Sequence, residues 1–325
     1  MPITQVTQDP DALSLTVVGE YPVSRRRLWQ AWVDPRQLEQ FWGPPTWPAT
    51  FTRHEVFPGG RSHYFMRGPD DTMSPGYWEF TCVQEGHSFE VINGFANQDE
   101  TINEDLPTMR MSIRFEGDAT SSRFIATTSY NSLEEMEQMV AMGMAEGMRE
   151  AVSQMDAVLA DLTTFSAEVP ARAQLLGPRK VRISRVIDGP VDLVWRAHHE
   201  PNLLRTWLLG PDGWRMTVCE VATTPGQSYR YEWASDNNEP GFGFTGELLT
   251  MTAPFHEVTT EQMIGVQGEP SRNELTLSPF GKATLLTLVI TYPSQEVRDT
   301  VLGTGMTEGM ETSYRRLERE VLQAA

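Results

Sequence analysis

The chain has little with which to cross-link itself, cross a bilayer or attract a polyanion. Its 325 residues include two cysteines, Cys82 and Cys219. So small a thiol content excludes a disulfide-built scaffold and fits a reducing compartment. No run of 18 apolar residues occurs, which argues against a membrane-spanning helix. The opening stretch, MPITQVTQDPDALS, has neither a basic start nor an apolar core, so a secretory leader is not expected and the protein reads as cytoplasmic. Two lysines stand against 24 arginines, and the formal net charge is −18. The first 168 residues carry −14 and the remainder −4. A chain this acidic repels phosphate backbones and anionic lipid headgroups, so neither nucleic acid nor a membrane is an expected partner. The densest basic spot, Arg25 to Arg27, falls in an amphipathic helix and reads as a solvated face.

Motifs of cofactor chemistry are scarce as well. GFGFTG (241–246) fits G-x-G-x-x-G, but NNEP precedes it and the strand-like ELLTM follows, so a hairpin is expected in place of a dinucleotide loop. No phosphate-binding loop and no G-x-S-x-G elbow is present. Ser62 and His63 are adjacent, and neighbouring strand residues point to opposite faces, so they cannot pair. The six histidines form no i, i+4 metal set; His54-Glu55 and His256-Glu257 read as exposed strand or turn positions. No cofactor and no metal is expected, and no catalytic motif is legible, which leaves any catalytic residue unknown.

What the sequence does hold is a domain written twice. PVSRRRLWQAWVDPRQLEQFWGPPTW (22–47) returns as PVDLVWRAHHEPNLLRTWLLGPDGW (190–214). Trp29 and Trp195 are 166 apart, as are Pro35 and Pro201; Tyr64 and Tyr231 are 167 apart. GMAEGM (143–148) and GMTEGM (305–310) are 162 apart. An order kept while the offset drifts marks duplication with loop insertions, at a period too long for a solenoid. Each copy opens on a strand, SLTVVGEY (14–21) or KVRISRVI (180–187), followed by two short helices started at Ser24 or Pro190 and after Asp34 or Glu200. Short strands with alternating faces follow, among them Tyr229, Tyr231 and Trp233 on one side. A closing helix ends each copy, from the capping box SLEE (132–135) to about Leu162, and from Ser294 to about Gln323. Met144, Met148, Ala151, Met155, Val158 and Leu162 form an apolar stripe, as do Met306, Met310, Ser313, Leu317 and Val321. The reading is α+β: residues 1–165 and 180–325 as two equivalent domains, 166–179 as a linker.

FWGP (41–44), PGG (58–60), RGPD (67–70) and the GMxEGM stretches make the chain resemble the activator-of-heat-shock-protein-90-ATPase-homologue-like branch of the START / Bet v allergen-like (SRPBCC) superfamily, over nearly its whole length and in two copies. Copy two departs from the pattern, with WLLGP, PGQ and no RGPD. The resemblance implies a helix grip: a curved antiparallel sheet around a long C-terminal helix, often with a cavity between them. Glycines at 143, 147, 305 and 309 would then give the helix room beside the sheet or leave space for a ligand, and mobile methionines would line it.

On that reading Trp42, Tyr64, Trp78, Met144 and Met148 line the first hollow, with Arg53 and Arg67 as polar contacts. Trp207, Tyr231, Trp233, Phe244, Met306 and Met310 line the second, with Arg230 or Glu220. Plain core packing accounts for the same aromatics, and surface ion pairing for the same arginines. The expected function is binding of a small hydrophobic molecule beneath the closing helix. A cyclase- or hydrolase-type enzyme and a chaperone-linked interaction protein are the alternatives.

Overall fold

A computed structural model describes residues 3–161, 164–166, 168–210, 213–237 and 239–323. The chain divides into two units, Met1–Phe165 and Ser166–Ala325. Among the described residues no helix is long and apolar enough to cross a membrane, and Cys82 and Cys219 are free thiols.

The first unit runs β1 (Ile3–Asp9), β2 (Ser14–Tyr21), α1 (Arg25–Val33), α2 (Pro35–Leu38), β3 (Ala49–His54), β4 (Arg61–Arg67), β5 (Met73–Gln84), β6 (Ser88–Phe95), β7 (Met109–Gly117), β8 (Ser122–Ser129), α3 (Leu133–Ala141), α4 (Met144–Ser153) and α5 (Met155–Ala160). The second runs β9 (Arg172–Leu175), β10 (Lys180–Ile187), α6 (Val191–His199), α7 (Pro201–Trp207), β11 (Trp214–Glu220), β12 (Ser228–Ser235), β13 (Phe242–Thr252), β14 (His256–Met263), β15 (Ser271–Phe280), β16 (Ala283–Thr291), α8 (Gln295–Leu302) and α9 (Met306–Leu317), with a last π-helical turn Glu318–Leu322. Each unit is one eight-stranded antiparallel sheet of the same order: β1-β2-β8-β7-β6-β5-β4-β3, and β9-β10-β16-β15-β14-β13-β12-β11. The strands expected at 14–21 and 180–187 are present as β2 and β10, but neither opens its unit: the edge strands β1 and β9 come first. Part of the segment read as a linker, Arg172–Leu175, pairs with β10 as an edge strand. Leu162 lies outside the described residues. GFGFTG sits within the β12–β13 hairpin, its last five residues in β13, and no helix opens at its end.

Local chemistry sets the ends of the helices. Ser24 Oγ accepts from the Arg27 N–H at 3.1 Å, and α1 then buries Leu28, Trp29, Ala31, Trp32 and Val33 along one face. Ser132 and Ser294 cap α3 and α8 in the same way, at 3.1 and 3.2 Å. The closing helix, however, is not one rod. Gly143 and Gly305 adopt φ of +85° and +80°, a left-handed conformation that ends one helix and starts the next. Gly147 and Gly309 lie inside α4 and α9, and a Cβ built on either meets nothing within 4 Å. These glycines therefore do not serve close approach to the sheet; the first of each pair makes a turn.

The stripes behind the turn do face the sheet. Met148, Ala151, Met155 and Val158 are buried, as are Ser313, Leu317 and Val321. In the second unit Arg185, on the inner face of β10, adds an ionic tie: its guanidinium meets Glu311 and Glu318 of the closing segment, each at 2.9 Å. Buried charges of this kind persist only when paired on every side.

The two glycines of each motif should respond in opposite senses. Gly143→Ala, at positive φ, is expected to cost about 1–2 kcal/mol, whereas Gly147→Ala, in a helix interior with open space, should stabilise by roughly 0.5–1 kcal/mol. Urea unfolding of the full chain reads both, and equal effects would refute the distinction.

Candidate functional site

Strand pairing brings the two inner faces into position-by-position correspondence. Tyr130 and Tyr292 directly follow β8 and β16, and their hydroxyls meet Met144 Sδ at 3.2 Å and Met306 Sδ at 3.8 Å. Counting inward from these fixed points through the registers, Met111 matches Asn273, Phe89 matches Glu257, Val91 matches Thr259, and Asn93 matches Glu261. The cross-strand pair Ser62–Trp78 matches Tyr229–Gly246. On the first helix of each unit, Trp32 matches His198.

The first inner face is filled by its own rings. Trp32, Trp78 and Phe124 are 0% exposed, and Phe80, Phe89 and Met111 are 1% exposed. Trp32 contacts Phe124 at 5.5 Å between centroids, Trp42 contacts Trp78 at 4.8 Å, and Phe80 contacts Phe89 at 5.5 Å. Edge-to-face pairs of this sort add about 0.5–1.5 kcal/mol each beyond burial. His54, expected at an exposed position, is buried: its Nδ1 meets Ser62 Oγ at 2.8 Å and its Nε2 the Trp32 carbonyl at 3.2 Å. Ser62 thus finds the histidine directly across from it on the adjacent strand β3, and not its neighbour His63. His256 and Glu55 are buried too, against the same expectation.

The second inner face is open where the first is closed. Glu257, Thr259, Glu261, Asn273 and Leu288 are all partly exposed, while their counterparts Phe89, Val91, Asn93, Met111 and Ala126 are buried. Gly246 is required there by a close approach, because a Cβ would come within 1.8 Å of the Thr260 carbonyl oxygen; the Tyr229 ring lies over it. Tyr231 and Phe244 stand beside these, and with Met306 and Met310 they join the apolar cluster under the closing helix.

Two acids set the electrostatics. His199 stacks on Trp195 at 3.9 Å; its Nδ1 meets the Trp195 carbonyl at 2.8 Å and its Nε2 meets Glu257 at 3.0 Å. Both ring nitrogens face acceptors, so the imidazolium fits the site best. Burial presses the His199 pKa down, but the hydrogen bond and charge of Glu257 outweigh it and leave the group raised. His198, buried with Nδ1 on the Val194 carbonyl at 2.7 Å, goes the other way, to about 4. Glu261 is different again: burial pushes its carboxyl up, and Tyr229 and Asn273, which face it, counter this only in part. The Tyr229 hydroxyl is shared between the Thr260 carbonyl at 2.9 Å and Glu261 at 3.4 Å. The charge of Glu261 also acts on Tyr231 and Tyr292.

Of the residues read as site residues, the structure gathers Trp42, Tyr64, Trp78, Met144 and Met148 on the inner side of the first unit, and Trp207, Tyr231, Trp233, Phe244, Met306 and Met310 on that of the second. Trp207 and Trp233 are packed core: their N–H groups donate to Ala197 and Leu208 carbonyls at 2.9 and 2.8 Å. The four charged contacts are misplaced. Arg53, Arg67, Glu220 and Arg230 lie on the opposite face, because strand alternation points them away from Tyr64 and Tyr231. There Arg53 pairs with Glu55, Arg67 with Asp71 and Arg230 with Glu232, and Glu220 is exposed. Sequence reasoning sets Glu257 aside as an exposed strand or turn position and His199 as no part of a metal set, and does not single out Glu261 or Asn273. A signal existed: aligned copies put carboxylates and an amide in copy two where copy one has Phe89, Asn93 and Met111.

A sheet closed by a segmented amphipathic helix, in two copies, defines a tandem helix-grip α+β protein. The family model described as "Activator of Hsp90 ATPase homolog 1-like protein" matches residues 22–160 and again 188–321, and the chain belongs to that family. Solved structures similar to it include a protein from Arthrobacter aurescens, 41% identical with a TM-score of 0.47, covering 48% of this chain and 91% of that one. Protein Ms6760 from Mycobacterium smegmatis is 43% identical with a TM-score of 0.46, covering 50% of this chain and 99% of its own. No curated protein matches significantly.

The His199–Glu257 pair carries a pH signature. A raised folded pKa contributes stability that is complete below the unfolded value of 6.5 and is lost as pH rises through the folded value. Glu257→Gln should therefore destabilise more at about pH 5.5 than at about pH 9. In proton NMR titration His199 should lose its proton above the usual histidine range and His198 well below it, near 4. Indistinguishable titrations would contradict the geometry.

Proposed function

We propose that this chain is a small-molecule-binding protein whose ligand, largely apolar, lies beneath the closing helix of the second unit. The observation that carries the reading is the contrast between the two inner faces: Phe89, Val91 and Met111 are 1% exposed, whereas Glu257, Thr259 and Asn273 at the matching positions are partly exposed. An apolar floor of Tyr231, Phe244 and Leu288, flexible methionines at 306 and 310, and a few polar groups is the usual composition of a ligand site. The first unit, filled by its own tryptophans, acts on this reading as a packed homologue. Its aromatic interior at Trp42, Tyr64 and Trp78 stabilises the fold and binds nothing.

A second reading, an acid–base enzyme working on the same face, is favoured by Glu261, whose carboxyl burial raises it toward the range useful for proton transfer.

Native mass spectrometry of the purified full chain should find an apolar molecule bound at one per chain. Phe244→Asp, which places a charge on the floor, is expected to abolish that uptake, and Tyr64→Asp-type changes in the first unit to act only through stability. As a control, Arg230→Ala on the outer face should leave uptake within about twofold. Two molecules per chain, or retention by Phe244→Asp in a folded protein, would refute the assignment to the second unit.

A further inference from the structure

The ligand site proposed above has a charge without a counter-charge. Glu261 sits on the inner face of β14, and the groups that face it are Tyr229, Tyr231, Tyr292 and Asn273. Among the described residues, no lysine or arginine forms an ion pair with it. Its neighbour on the same face, Glu257, is neutralised by His199 at 3.0 Å. Beside Glu261, Asn273 Oδ1 is buried and accepts no hydrogen bond among the described residues. The Tyr229 hydroxyl is already committed chiefly to the Thr260 carbonyl at 2.9 Å, and the Tyr292 hydroxyl faces Met306 Sδ at 3.8 Å. Among the described residues the carboxylate thus has neutral donors alone, the Tyr229 hydroxyl at 3.4 Å and the Asn273 amide, and the amide oxygen has none. A buried acceptor left unpaired costs about 1–3 kcal/mol, more for a charged one, so such a pair persists most readily where something else supplies the donors.

We propose that the second unit takes a ligand bearing a protonated amine, seated between Glu261 and Asn273 Oδ1, with its apolar portion on Tyr231, Phe244 and the methionines of α9. An ammonium has three N–H donors and a full positive charge, which the carboxylate and the amide oxygen accept directly. The rings of Tyr229, Tyr231 and Tyr292 add the attraction of aromatic faces for a desolvated cation. A carboxylate-bearing ligand is repelled by the same arrangement, and a neutral alcohol offers one donor and no charge. The first unit cannot substitute, since Asn93 and Met111 occupy the matching positions and Trp78 fills the space between.

This inference rests on the ligand-binding reading, and the test separates the two. Isothermal titration of the full chain with 2-phenylethylamine, 2-phenylethanol and phenylacetate compares a cation, a neutral molecule and an anion of nearly equal size. The amine should bind about tenfold or more tighter than the alcohol, and phenylacetate weakest. Glu261→Gln should bring the amine down to the alcohol's affinity and leave the alcohol unchanged; Glu261→Asp should keep most of the preference. Equal affinity for amine and alcohol in the native chain overturns the amine assignment while the apolar ligand site stands. An unchanged amine preference in folded Glu261→Gln overturns it as well. If Glu261→Gln fails to fold, the ratio of amine to alcohol affinity in the native chain decides alone.

Discussion

Each unit depends on the seating of an amphipathic closing segment against the inner face of its sheet. A strand places successive side chains on opposite faces, so pairing register decides which residues the segment can bury. In the first unit the seat is mainly aromatic and aliphatic, with His54, Ser62 and Asn93 buried in it, and Met148, Ala151, Met155 and Val158 complete it. In the second, the segment is also tied by Arg185 to Glu311 and Glu318. An ionic tie holds position with less need for a continuous apolar seat, and this is the unit whose inner face is partly open.

The divergence between the copies follows from that freedom. A bulge opens β5 and β13 at the same place, after Phe80 and after Leu248, so the backbones remain comparable. On those backbones one face became an aromatic core and the other acquired two glutamates, an asparagine and a histidine. The exchange of Ser62–Trp78 for Tyr229–Gly246 moved bulk from one strand to its neighbour. The exchange of Phe89 for Glu257 and of Trp32 for His198 removed it. A carboxylate placed where the other copy keeps a ring, as Glu257, or an amide, as Glu261, is costly to stability unless its charge is balanced, and a position that carries one with neutral partners alone among the described residues is better understood through what it binds than through the fold.

The family establishes architecture and leaves the chemistry to the site, because one scaffold can host many pockets. For this chain the discriminating features are few: among the described residues, Glu261 without a cationic partner and Asn273 Oδ1 without a donor, beside a methionine-bordered apolar floor. They make charge selectivity a more informative property than affinity for apolar molecules in general.

Much of the fold was legible in the sequence because its determinants are local. Ser24, Ser132 and Ser294 mark helix starts through their own hydroxyls, two-residue alternation marks the strands at 14–21 and 180–187, and duplication is written in the spacing of tryptophans and prolines. The glycine motifs were legible as motifs, but their role turns on φ at Gly143 and Gly305, which spacing does not disclose. The site was less legible. Arg53, Arg67, Glu220 and Arg230 sit close in sequence to inner-face aromatics, yet alternation and a bulge send them outward. Glu261 and Tyr292 stand 31 positions apart, and Tyr229 and Glu261 stand 32 apart. Only the pairing of β12 through β16 brings them together, since a strand's own sequence sets which residues share a face and its neighbours set what that face meets.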